Sequence, residues 1–418
     1  METIKETLLM TDKPAPVSLL RQWSISVVLM VCVVLAFFDK ISIAVLFSDP
    51  VFQNAMGIGA DKTRLGWLMS SFLLAYGLSS VCLSFIGDII NPRTCLLTGV
   101  ASWGILMAMM GMATSYEQLL VLRVLLGIAE GPLFALAYSI VKQCYNSGQQ
   151  ARASTMFLLG TPIGAALGFP ITAFILHRYG WQMTFFVMAG LTLATLMVVY
   201  WGLKGVSLNS GSADGSPKKR VTWLQHFHNS QQLCKSPSFW ALCLFNAALL
   251  TYLWGVNGWL PSYLIEEKGV DLASFGALSS LPFIAMLFGE IAGAFLSDKT
   301  GKRAVQVFAG LFLAGCALYL VLQLHDAVLA ILALSVSTMS WGFGVSAVFA
   351  LLARLTPSEV SATAGGIFNG FGNFAGSAAP VLMGYIVTRS GDFNLGLMFL
   401  VWVAVLGSLL LLPLVKKY

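Results

Sequence analysis

Five charged residues interrupt otherwise apolar stretches of this chain: Asp39 and Lys40 side by side, Arg123, Glu130 seven residues later, and Glu290. A charged side chain at the centre of a bilayer costs about 2.5–3.5 kcal/mol on insertion scales. If these stretches cross a membrane, several such groups facing lipid would cost on the order of 10 kcal/mol, so they must face a polar cavity or one another. A carboxylate in such a place is either half of a structural ion pair or a group that takes up and releases protons as a neighbouring cation approaches and withdraws. Seven residues put Arg123 and Glu130 on one helix face, two turns or about 10.5 Å apart, so a direct pair between them is strained. Asp39 is the expected partner of Arg123, which leaves Lys40 as a hook for an anion.

The elements that position these groups follow from composition. Of the 418 residues, 57% are hydrophobic and 10% charged, where a soluble domain carries about 25% charged. That excludes a soluble enzyme, a nucleic-acid binder or a disordered scaffold as a reading of the whole chain. A membrane helix needs roughly 20 apolar residues, and twelve such segments are expected. They are 24–46, 66–86, 95–113, 118–141, 153–176, 181–203, 240–263, 275–297, 304–323, 328–351, 362–387 and 394–415. Strands of a membrane barrel would alternate apolar and polar over about 10 residues, which these do not. The fold class read from the sequence is therefore an all-α polytopic membrane protein. No cleavable signal peptide is read from the polar residues 1–20.

With the N-terminus placed in the cytoplasm, seventeen of the 24 Lys and Arg residues fall on the cytoplasmic side and five on the other; Lys40 and Arg123 lie within spans. This positive-inside bias puts both termini in the cytoplasm. It also explains the net charge of +6 without a nucleic-acid partner. The longest polar stretch, 204–238, is Gly- and Ser-rich and then carries Lys218-Lys219-Arg220, as a flexible linker would. It divides the chain into a six-helix bundle over 1–203 and another over 239–418. The seven cysteines lack C-x-x-C spacing and His226 and His228 lack a third ligand, so no metal or other cofactor is expected. No Ser-His-Asp set or phosphate loop points to an enzyme.

Gly87-Asp88-Ile89-Ile90-Asn91-Pro92-Arg93 follows the second span, and Ser297-Asp298-Lys299-Thr300-Gly301-Lys302-Arg303 follows the eighth. Repeated halves of this kind mark transporters with a site near the midplane. The two loops resemble the Gly-x-x-x-Asp-Arg-x-Gly-Arg-Arg signature of the major facilitator superfamily, the first copy having lost a glycine. Phe38-Asp39-Lys40-Ile41-Ser42-Ile43 resembles the Asp-Arg-x-Asn-Ile of its anion:cation symporter family, which includes bacterial D-galactonate and phthalate transporters. Leu122 to Pro132, Trp259-Leu260-Pro261-Ser262-Tyr263-Leu264, and Pro357 to Gly391 are similar to that family's fourth, seventh and eleventh spans. Together these cover essentially the whole chain.

The resemblance implies twelve helices in two halves and proton-coupled uptake of a small organic anion, a carboxylate such as a sugar acid. It gives Asp39, Glu130 and Arg123 the proton-coupling roles and Lys40, Tyr76, Thr161, Ser346 and Asn369 the substrate. It assigns Asp88, Arg93, Asp298, Lys302 and Arg303 to a conformational gate. The implied partners are the anion, protons and the lipid bilayer, with the protein a monomer in a bacterial inner membrane. The chain departs from the family at Lys40, where Arg is usual and would grip a carboxylate bidentately. It departs again at Phe37, Thr161 and Phe349, where sugar-acid members carry Tyr, an amide and Trp. Fewer hydrogen-bonding groups point to a substrate with fewer hydroxyls than an aldonate. An organophosphate:phosphate antiporter and a non-transporting membrane sensor stand as alternatives; spans 7–12 lack the interior base the former needs. Glu290, without a counterpart in the family pattern, is either a gate contact or a vestibule residue. Gly160, Gly164 and Gly168 are similar to an antiporter motif, but their spacing is read as close helix packing. Asn369 and Asn373 share a face of the eleventh span, lining the cavity or cross-linking helices.

Overall fold

A computed structural model describes residues 19–83, 90–145, 153, 154, 156–206, 208, 235–271, 278–356 and 361–415. Its helices are α1 (Leu19–Leu46), α2 (Lys62–Cys82), α3 (Pro92–Gly111) and α4 (Tyr116–Glu130, continued by Leu133–Cys144). They continue with α5 (Gly160–Tyr179), α6 (Trp181–Gly202), α7 (Pro237–Ser262, extended by a wide turn over Tyr263–Glu267) and α8 (Ser280–Thr300). The last are α9 (Arg303–Gln323), α10 (Ala327–Leu355), α11 (Ser361–Gly376, continued by Ala378–Ser390) and α12 (Phe393–Leu409). Side chains placed at the ends start them: Asp61 accepts from the Thr63 and Arg64 amides of α2, Asn91 from Arg93 of α3, and Asp326 from Leu329 of α10. Gly301 and Gly391, at φ +66° and +71°, close α8 and α11 in the left-handed conformation.

Among the described residues eleven helical stretches are long and apolar enough to cross a membrane. The expected eleventh span is instead two shorter helices meeting at Ser377, because Pro380 has no N–H to give the Gly376 carbonyl. Large apolar side chains such as Ile105, Phe174, Phe288, Phe295 and Trp402 stand exposed around the perimeter, a surface suited to lipid.

The packing repeats. α1 packs on α5, α2 on α4 and α3 on α6; six elements later, α7 packs on α11, α8 on α10 and α9 on α12. The first six helices meet the second six where α2 runs along α11, α5 crosses α8, and α1 faces α7. At the end opposite the start of α1, Lys62 lies 2.6 Å from Glu266 and the Thr63 amide donates to the Thr388 hydroxyl. Deeper in, Ser280 Oγ donates to the Ala166 carbonyl at 2.8 Å. That carbonyl is free because Pro170, four residues on, cannot donate to it.

Candidate functional site

Lys40 on α1 and Glu130 at the end of the first part of α4 are both shut off from solvent, at 1% and 0% exposure, with Nζ 3.5 Å from Oε2. At that length the contact is an ion pair rather than a well-formed hydrogen bond. The ammonium is otherwise surrounded by rings. Nζ lies 4.1 Å from the centre of Tyr76, 5.2 Å from Phe37, 5.9 Å from Phe134 and 6.0 Å from Phe72. Ring faces are electron-rich and hold a desolvated cation without competing for its protons. Phe37 in turn stacks on Trp254 of α7 at 5.7 Å, so one wall of this chamber comes from the second half of the chain.

Asp39 and Arg123 are equally buried. The guanidinium donates from Nε to the Leu68 carbonyl at 3.0 Å and covers the Phe72 ring at 4.5 Å. Neither of its terminal nitrogens and neither Asp39 oxygen has a hydrogen-bond partner among the described residues, and no Asp39–Arg123 ion pair forms there. Lys40 and Arg123 lie over the same Phe72 ring, at 6.0 and 4.5 Å, and Asp39 adjoins Lys40 in the chain. The four ionisable groups thus form one buried set with an acid and a base from α1 and an acid and a base from α4.

Close helix packing makes the set possible. A Cβ at Gly127 would overlap the Phe72 carbonyl, and one at Gly131 would overlap the Ser79 side chain, so α4 lies directly against α2. Pro132 interrupts α4 just after Glu130 and leaves the Ile128 carbonyl without its helical donor; Ser79 Oγ supplies the bond at 2.7 Å. This seam brings Tyr76 of α2 under Lys40 and beside Glu130. Gly160, Gly164 and Gly168 serve another seam, each facing α1 at Met30, Val34 or Ile41. Close packing is the use this stripe has here.

Of the residues read from sequence, Asp39, Lys40, Tyr76, Arg123 and Glu130 are brought together. Asn369 sits across the α2/α11 contact, donating to Ser80 Oγ at 3.4 Å and accepting at Oδ1 from Asn373 at 3.1 Å. Asn373 accepts from Trp254 Nε1, so both amides cross-link helices and tie the ring that backs Phe37. Ser346 lies elsewhere, within the second half, where Gln306 Nε2 donates to its hydroxyl at 3.3 Å. Thr161 is half-buried in the first turn of α5. Glu290 packs its side chain against Gly342 of α10. Among the gate residues, Arg93 donates to the Tyr200 carbonyl and Arg303 to the Ala350 carbonyl, while Lys302 is exposed. Asp88 lies outside the described residues, as do the side chain of Asp298 and the histidines His226 and His228.

The ring lining was not read from the sequence. Phe37 and Phe72 stand one turn before Lys40 and Tyr76, a spacing that could have flagged them; Phe134 and Trp254 come from other helices and carried no such sign.

Comparison with known proteins agrees with this architecture. The chain is 28% identical to the "Probable sulfoacetate transporter SauU" of Cupriavidus necator, over 91% of each chain. It is 26% identical to the "Probable galactarate/D-glucarate transporter GudP" of Bacillus subtilis, over 86% of each. It is 24% identical to the D-galactonate transporter of Escherichia coli O6:H1, over 93% of this chain and 94% of that one. All three are named as transporters and none as an enzyme. Among solved structures, an inward-facing bacterial homologue of the human lysosomal transporter Spinster shares the fold, with a TM-score of 0.74 at 18% identity over 96% of both chains. Residues 29–380 match the family directly. This multi-pass membrane protein, with its repeated helix pairings and its charged set buried at the centre of the first half, belongs to the Major Facilitator Superfamily.

Proposed function

We propose that this protein is a secondary active transporter that takes up a small organic anion together with protons, by alternating access between two six-helix halves, 1–203 and 239–418, joined by 204–238. The observation that carries the reading is the buried Lys40–Glu130 pair. A carried anion needs the same ammonium that Glu130 already holds. Both cannot be satisfied while Glu130 is charged, because two anions on one buried cation repel in a medium of low dielectric constant. A proton on Glu130 removes the competitor, so anion and proton enter together. Asp39, next to Lys40 on α1, offers a second carboxylate for the same purpose. Tyr76 borders the head group, and Thr161, Ser346 and Asn369 are assigned to the remainder of the substrate. One anion with one proton is electroneutral; a second proton would add about 2.3 kcal/mol per 100 mV of membrane potential.

The relatives' sugar acids and sulfoacetate support an organic anion as cargo. The rings around Lys40 favour one with fewer hydroxyls than an aldonate. The charge bias between loops supports cytoplasmic termini in a bacterial inner membrane. Asp88, Arg93, Asp298, Lys302 and Arg303 are assigned to the gate at that cytoplasmic face.

A thermal-shift screen of the purified protein against small organic anions, cations and neutral sugars tests the reading, since a ligand bound to the native state raises its apparent stability. The hits are expected to be anions with at least one acid group. Stabilisation by cations or neutral sugars alone would overturn the assignment of Lys40.

A further inference from the structure

Asn257 of α7 is 1% exposed, and neither its Oδ1 nor its Nδ2 has a hydrogen-bond partner among the described residues. Buried amides are nearly always paired, and an unpaired one destabilises the fold that contains it. Its backbone carbonyl also lacks its usual helical donor, because Pro261 has no N–H. This single side chain therefore presents two donors and an unused acceptor in a buried place.

That place is defined by two ring contacts. α1 and α7 run in the same direction through the fold. They meet at Phe37–Trp254, 5.7 Å between centres, and again at Phe47–Trp259, 5.6 Å. Lys40 lies between the two contacts on α1, one turn beyond Phe37 and on its face. Asn257 lies between them on α7, one turn beyond Trp254 and on its face. Lys40 and Asn257 thus stand at corresponding positions, each one turn beyond the stacked Phe37–Trp254 contact on its own helix. Lys40 can only donate, and suits an anionic head. A carboxamide both donates and accepts, and suits a hydroxyl or a further acid oxygen.

We propose that Asn257 binds a second polar group on the anion held by Lys40. The site then selects short bifunctional acids, hydroxy- or sulfo-carboxylates, over unsubstituted fatty acids. The inference rests on the anion-transport reading and adds a contact from α7 to the part of the substrate that Lys40 does not hold. It also gives α7 a reason to move with α1 when substrate binds, since one ligand would then bridge both halves.

The test uses purified full-length protein, thermal shift, and three probes: D-galactonate, sulfoacetate and propionate. For the wild type, at least one bifunctional anion is expected to stabilise at lower concentration than propionate. In Asn257→Leu, affinity for that anion should fall about tenfold while the response to propionate stays within twofold. The ligand-free melting temperature of Asn257→Leu should equal or exceed that of the wild type, because an unpaired amide is replaced by a side chain content in an apolar place. A ligand-free variant that melts well below wild type would show a structural partner for the amide and overturn the proposal. So would equal losses for all three probes, or unchanged affinity for the bifunctional anion. A wild type that none of the anions stabilises would instead overturn the anion reading itself, and this inference with it.

Discussion

Lys40 and Glu130 face each other at 3.5 Å with no solvent contact, while Asp39, the neighbour of Lys40 in sequence, has no ion-pair partner among the described residues. The cation nearest the expected anion site is therefore already engaged, by an acid from another helix. Breaking a buried pair leaves an uncompensated charge and costs about 3–5 kcal/mol, more than a surface pair could. The pair is thus stable enough to persist until a proton or a competing anion removes its reason to exist.

Glu130→Gln and Asp39→Asn keep shape and remove titration. Both are expected to abolish accumulation of substrate against its gradient, while Glu130→Gln retains ligand binding and substrate exchange. Proton and substrate uptake measured together in the same vesicles checks this. Wild-type accumulation by both variants would refute symport through these residues, and Glu290 would be the next carboxylate to substitute.

Lys40→Ala acts on binding itself. Losing a charge-assisted contact of roughly 1.5–3 kcal/mol should weaken anion affinity about 10- to 150-fold. It also strands Glu130, so the ligand-free protein should melt lower. Adding Glu130→Gln to Lys40→Ala should recover most of that stability without restoring affinity. Melting curves of the two single variants and the double variant give the coupling directly.

The Lys62–Glu266 contact joins the two halves at the end opposite the start of α1, with both side chains partly exposed. A screened pair of this kind contributes about 0.2–1 kcal/mol. Glu266→Gln should therefore shift the balance between conformers by no more than about fivefold, toward opening at that end. Spin labels at Val51→Cys and Leu395→Cys in a cysteine-free background would report the shift as a longer distance. An unchanged distance distribution would remove this pair from the closing contacts.

Gly66 and Gly164 should respond differently to the same change. A side chain at Gly66 would overlap the Pro380 carbonyl across the two halves, whereas one at Gly164 would strike Val34 and Phe37 within the first half. Gly66→Leu can be relieved by the halves separating, so it should melt near wild type and populate the form open at that end. Gly164→Leu has no such escape and should lose about 1–3 kcal/mol of stability. Equal melting losses for the two would argue against a mobile α2/α11 seam.

Hydropathy over a window of about 20 residues is a local property, and it located the membrane spans within a few residues because each helix satisfies its own backbone and needs no partner to exist in lipid. It could not foresee that the eleventh span would be left in two pieces at Pro380, because Pro170 and Pro261 lose the same bond inside helices that continue, and only the packing around each proline decides. The intramembrane charges were equally legible, being costly wherever they occur. Their partners were not. Asp39 and Lys40 point about 100° apart on α1, and which of them meets an acid depends on how α4 is rolled against α2. That roll is decided by Gly127, Gly131 and the Ser79 bond to the Ile128 carbonyl. Hence the expected Asp39–Arg123 pair is absent from the described residues and a Lys40–Glu130 pair is present. Ser346 was placed by resemblance near the substrate and packs beside Gln306 in the structure. Asn257 carried no sign at all in sequence. An asparagine in an apolar run is ordinary until tertiary packing either supplies its partners or, as here, buries it with none among the described residues.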